Sequence, residues 1–170
     1  MTPGEAIERI GWSTHQAGMN PSQQLLYGSP VLVARTSQFR WRWFATRIHT
    51  FIVAAAFPAG TATPERLDGF LRAATEYAKA NKGGLPRGLQ TGVAVIVVAV
   101  TESADPAAYS WASAPHGRQF AALPFPVVAD ASSGQVAMPR RMILGGIYKG
   151  YFTSLVAQHV AAPLQWRIVE

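Results

Sequence analysis

The chain contains no cysteine. That one absence removes thiolate catalysis, cysteine-based zinc sites, iron–sulfur clusters and disulfides together, and it fits a reducing, cytoplasmic compartment. Long hydrophobic runs are also missing. The longest, Val93 to Val100, falls far short of the ~20 residues a membrane helix needs, so no membrane partner is expected. Met1–Ile10 carries two glutamates and no apolar centre, which does not read as a signal peptide. Acids are scarce as well, nine against fifteen lysines and arginines, and two long stretches have none at all. Between Ile10 and Pro64 the only charges are Arg35, Arg40, Arg42 and Arg47; between Ala131 and Val169 they are Arg140, Arg141, Lys149 and Arg167. If both stretches share a face, that face attracts anions at long range. Dispersed over the surface, the same cations only aid solubility.

What the sequence does have is enough apolar residue for a core. At 170 residues it reads as one domain, and a chain of this length buries roughly 70% of its unfolded surface without staples. Arginine outnumbers lysine twelve to three and alanine is abundant, the usage of a GC-rich bacterial genome.

Thr2-Pro3-Gly4-Glu5 has the spacing of a capping box with proline at the first helical position, predicting a short helix that ends at Gly11. Trp12 to Pro30 reads as loop with one strand at Leu25–Tyr27. Val31–Arg35 and Trp41–Phe57 read as a hairpin turning near Ser37-Gln38, with a bulge near Phe44–Ala45. Thr63-Pro64-Glu65 opens the strongest helix, whose stripe of Leu67, Phe70, Leu71, Ala74, Tyr77 and Ala78 has helical spacing. Lys79 and Lys82 then complement its dipole, and Gly83 suits a left-handed cap. Val93 to Val100 reads as a strand buried on both faces. Asp105 caps a short helix through Trp111. Phe125–Ala129 and Gln135–Met138 form a second hairpin, which Pro124, Pro126 and Pro139 push towards a sheet edge. A broad apolar helix from Gly145 to Val160 closes the chain. The order predicts a single α+β domain over residues 1–170, with a mixed or antiparallel sheet of about five strands and helices packed on it. It is similar to profilin-like scaffolds of the longin and roadblock type, an analogy of fold alone. An exposed sheet edge or helical seam on such a scaffold would support a homodimer.

Asn81-Lys82-Gly83-Gly84-Leu85-Pro86-Arg87-Gly88-Leu89-Gln90-Thr91-Gly92 is the segment richest in special backbone. Gly83 and Gly88 have Walker separation, but Leu89-Gln90 replaces Lys-Ser or Lys-Thr, and the loop leaves a helix C-terminus whose carbonyls repel phosphate. Walker chemistry is excluded. A cap and turn feeding the next strand is the plain role, leaving Lys82 and Arg87 as anion ligands if they face the same way.

Phe39-Arg40-Trp41-Arg42-Trp43-Phe44 interleaves cations with rings, as single-stranded nucleic-acid binders do. Strand alternation puts the arginines on one face and the tryptophans on the other, which is core plus surface, so nucleic acid ranks behind other partners. His15, His49, His116 and His159 lack metal-ligand spacing, and no metal or cofactor is expected. His159, in a last helical turn, is placed where a partly charged imidazole is favoured. Glu102 stands at the carboxyl end of the central strand, where α/β proteins place ligands, and His116 and Arg118 follow one short helix later. Two readings therefore stand. In one the domain is a non-enzymatic binding module for an anionic small molecule or a protein partner. In the other it is a small enzyme on an anionic substrate, with Glu102 and His116 as acid and base and Lys82, Arg87 and Arg118 holding the anion.

The run Asn81 to Gly92, with Arg118-Gln119-Phe120-Ala121-Ala122 and Gly145-Gly146-Ile147-Tyr148, resembles a group of small actinobacterial proteins of unknown function, some of them labelled levansucrase. That label does not fit these residues. Levansucrases resemble large β-propellers with a carboxylate triad, whereas this chain is short, helical and poor in acids. The resemblance therefore assigns no catalytic residue.

Overall fold

The computed structural model describes residues 1–40, 46–83, 91–117, 122–142 and 146–169. Helix α1 (Pro3–Gln16) precedes strands β1 (Ser22–Leu26), β2 (Ser29–Arg40) and β3 (Thr46–Phe57). Then come α2 (Pro64–Asn81), β4 (Thr91–Thr101), α3 (Pro106–Ser113), β5 (Ala122–Asp130) and β6 (Gln135–Ala137). Helix α4 (Gly146–Val156) continues through a π turn (Ala157–Ala161) and a last α turn (Ala162–Leu164) before β7 (Arg167–Val169). The strands form one seven-stranded mixed sheet in chain order, β1 through β7, an α+β arrangement. The expectation of about five strands misses β1 as a full strand and β7, both only three to five residues long.

β1–β2, β2–β3 and β5–β6 pair antiparallel; β3–β4, β4–β5 and β6–β7 pair parallel. The parallel steps dictate where the helices lie. Right-handed crossovers from β3 to β4 to β5 travel the same way along the sheet, so α2 and α3 cover one face. β6 runs the other way, and its crossover through α4 lands on the opposite face beside α1. The two cores agree. Phe51, Val53, Val93, Val95 and Val97 pack with Leu67, Phe70 and Ala74 of α2. Ile48, Ile52, Ile96 and Val98 pack with Ile10 of α1 and Phe152 and Val156 of α4. Being sandwiched is why β4 reads as an uninterrupted apolar run.

Local rules hold at most helix ends. Thr2 and Glu5 form the predicted capping box, with Thr2 N–H donating to Glu5 Oε2 at 2.8 Å. Thr63 Oγ1 accepts from the Arg66 amide. Asp105 occupies its cap position without a side-chain cap bond. Helix α1 runs past Gly11 to Gln16, and Thr14 on the added turn is buried. No turn forms at Ser37-Gln38: β2 continues to Arg40, paired with Thr46. Trp41, Arg42, Trp43 and the bulge expected at Phe44–Ala45 lie outside the described residues.

The prolines of β5 have a specific explanation. β6 pairs only with Val128–Asp130, so the stretch carrying Pro124 and Pro126 has β4 on one side and no strand partner on the other among the described residues. The hairpin is internal at its tip and edge-like where the prolines sit.

Candidate functional site

The end of α2 meets the sheet over β2 and β3, and one side chain organises the meeting. Val31, Val33 and Arg35 alternate onto the α2 face of β2. At the first two positions the face is core. At Arg35 it reaches the helix C-terminus, where Arg35 Nη1 donates to the Asn81 carbonyl at 2.9 Å and Nη2 to the Lys82 carbonyl at 2.8 Å. Those carbonyls are left without intrahelical partners by the helix geometry, and a guanidinium answers both their hydrogen bonding and their partial negative charge. The Arg35 carbon also lies 5.7 Å from the centroid of the Phe51 ring, its cross-strand neighbour. Gly83 follows with φ +65, the left-handed conformation predicted for it. A Cβ there would stand 3.3 Å from Arg35 Nη2.

Arg35 is nevertheless exposed, and it lines a cleft of about 520 Å³. The other walls are Asn20 and Ser22 ahead of and on β1, Ser37 on β2, and Tyr77 and Asn81 on α2. No carboxylate is among the described residues that line it. The nearest acid along α2, Glu76, is paired with Lys79 at 2.7 Å. The helix end contributes about half a negative charge and the guanidinium a full positive one, so the cleft remains net cationic. Its size falls within the range of small-ligand sites, about 300–1,000 Å³.

The sequence-derived site residues divide as follows. Lys82 is buried at 6% exposure at the same helix end, its carbonyl held by Arg35. Arg87 and Arg118 lie outside the described residues. Glu102 does sit at the carboxyl end of β4, but its Oε2 accepts the Ala59 amide at 3.2 Å, tying down the turn before α2. His116 Nε2 donates to the Trp111 carbonyl at 2.8 Å, with its ring edge-on to the indole. It borders a smaller hollow with Asp68, Arg72 and Pro124. Glu102 and His116 share no hydrogen bond.

Arg35 was not singled out by sequence, although a signal existed. It continues the Val31, Val33 alternation into an acid-free stretch, putting a cation on a face otherwise reserved for core. What the sequence could not supply is that α2 ends above it.

Two further polar clusters are structural. Asp130, 3% exposed, accepts from Tyr109 Oη, the Ser132 amide, Ser132 Oγ and Ser133 Oγ, all within 2.9 Å. Burial works to raise its pKa, and these four donors outweigh it, holding the carboxyl below the ordinary aspartate value. Burial raises the Tyr109 phenol. His159 lies in the π turn with Nδ1 3.2 Å from Ser13 Oγ of α1. Burial lowers its pKa, which corrects the expectation of a partly charged imidazole: desolvation disfavours the charged form.

No group of acids and histidines among the described residues could hold a metal ion, and no described helix is long and apolar enough to cross a membrane. Comparison with protein-family models, curated proteins and solved structures returns no match for this chain.

Proposed function

We propose that this domain is a binding module for an anionic or protein partner, and that the cleft between β2 and the end of α2 is its site. The observation that carries this reading is an exposed guanidinium fixed in an acid-free cleft. Two of the Arg35 N–H groups are spent on the α2 carbonyls, and the ring of Phe51 supports its plane. Its remaining N–H groups are therefore held in place before any ligand arrives, which lowers the entropic cost of binding. A carboxylate suits such a fork best. Glu102 and His116, each already committed to a backbone partner, lend no comparable support to acid–base catalysis.

The test is titration with citrate followed by calorimetry, on the native chain and on Arg35→Gln and Arg141→Gln. Arg141→Gln removes an exposed cation elsewhere and controls for net charge. Saturable binding that Arg35→Gln abolishes and Arg141→Gln preserves is the expected result. Equal loss in both variants would mean that only the overall charge matters, and the cleft would not be the site.

A further inference from the structure

Among the described residues, the cleft lies against a strand edge with unused pairing capacity. β2 runs from Ser29 to Arg40, yet β1 pairs only with Ser29–Val33. One more bond follows on that side, from the Asn20 amide to the Arg35 carbonyl. Beyond it, no described strand pairs with the outer side of β2, while the inner side stays paired to β3 as far as Arg40. Backbone groups alternate along a strand in an antiparallel ladder. Since the Arg35 carbonyl points outward, the N–H and C=O groups of Ser37 and Phe39 do so too. The side chains of Arg35 and Ser37 lie on the α2 face, where both line the cleft. A ladder left open by the described residues and a cationic cleft are thus side by side, at the edge of a stretch from Ile10 to Pro64 with four arginines and no acid.

Resting on the cleft as the binding site, we infer that the partner is an acidic peptide segment in extended conformation. It adds to β2 beside Ser37 and Phe39, in line with β1, and turns carboxylates towards Arg35. Main-chain pairing supplies affinity without regard to sequence, and the cleft reads every second side chain. An edge of this kind is normally blocked by charge, proline or a covering element. Here its own charges are all of one sign, which opposes pairing with a second copy and favours an acidic strand.

The probe is a fluorescein-labelled peptide of alternating glutamate and valine, which as a strand presents its carboxylates on one face; the control alternates lysine and valine. Ser37→Pro removes an outward N–H that the β2–β3 ladder does not use, and Ser37→Ala removes the hydroxyl alone. Circular dichroism and the melting midpoint establish that both variants are folded. The expected result is saturable, salt-sensitive binding of the acidic peptide, weakened about tenfold or more by Ser37→Pro and much less by Ser37→Ala, which keeps the backbone N–H. Citrate binding to the native chain, measured in parallel, tests the anion cleft independently of the strand edge. If citrate binds but the acidic peptide does not, or if Ser37→Pro binds it as well as the native chain, strand addition is wrong and the anion cleft stands. Equal binding of the lysine peptide would also overturn the inference. If neither citrate nor peptide binds, both readings fall. Should Ser37→Pro fail to fold, backbone N-methylation of alternate peptide residues removes the same pairing from the ligand side, with the same two outcomes.

Discussion

The phenol ring of Tyr27 lies against the bare Cα of Gly69, so the β1–β2 turn closes onto the N-terminal half of α2. Tyr27 and Gly28 both have positive φ, 52 and 72, the geometry of a two-residue turn whose twist suits a hairpin. Tyrosine is a poor residue for that conformation, and contact with α2 offsets part of its strain. A Cβ at Gly69 would collide with the phenol end of this ring. The ring is half exposed and free to swing outward, while alanine gains about 1 kcal/mol of helix propensity over glycine. Gly69→Ala is therefore expected to leave stability within about 0.5 kcal/mol of the native chain by urea denaturation, with Tyr27 more solvent-accessible by fluorescence quenching.

Gly83→Ala should behave oppositely. Left-handed backbone penalises any Cβ, and the new methyl would press on Arg35 Nη2. A loss of about 1–2 kcal/mol is expected by urea denaturation, together with weaker citrate binding as the guanidinium shifts. A glycine that merely ended the helix would lose stability and keep its citrate affinity.

Asp130 sets an acid limit. Its pKa is held below the ordinary value of 3.8, so its contribution is fully present above that pH and is lost as pH falls through the lower folded value. The melting midpoint of the native chain should drop across this window. Asp130→Asn should start about 1–3 kcal/mol less stable at neutral pH, since an amide cannot accept all four donors, and its midpoint should fall less steeply below pH 4. Parallel acid slopes in the two proteins would assign the effect to other groups.

His159 acts at milder pH. Burial lowers its pKa from 6.5, so the unfolded chain takes up a proton that the folded chain resists. Stability is complete above about pH 6.5 and declines as pH falls below it. In His159→Gln, the melting midpoint between pH 7 and 5 should change less than in the native chain. Ser13→Ala should preserve the native slope, because the cause is burial and not the hydroxyl.

Much of this architecture was legible from the residues. The stripe on α2, the glycine after it, the uninterrupted apolar run of β4 and the turn between β5 and β6 each follow from a local rule, and each appears where the rule puts it. The failures share a different cause. Helix α1 continues past Gly11, and Thr14 on the added turn is buried in the assembled fold. β7 is three residues long and exists because β6 offers it an edge, with Arg167–Val169 beside Gln135–Ala137. The π turn at Ala157–Ala161 has no local signature. The site divides in the same way. Lys82 and Gly83 mark the helix end in sequence, whereas the contact of Arg35 with Asn81 and Lys82 spans more than forty residues and is a product of the assembled fold.

The order of strands in the sheet has a consequence for how the molecule comes into being. Each strand lies beside the one made before it, and no later strand must be threaded between two earlier ones. The hairpin steps close short loops, whereas the parallel steps β3–β4, β4–β5 and β6–β7 each close over a helical crossover. The sheet can lengthen from β1 to β7 in the order of synthesis, with the parallel steps expected to be the slow ones. In that sequence the outer edge of β2 is among the first surfaces laid down, and the chain that follows grows away from it.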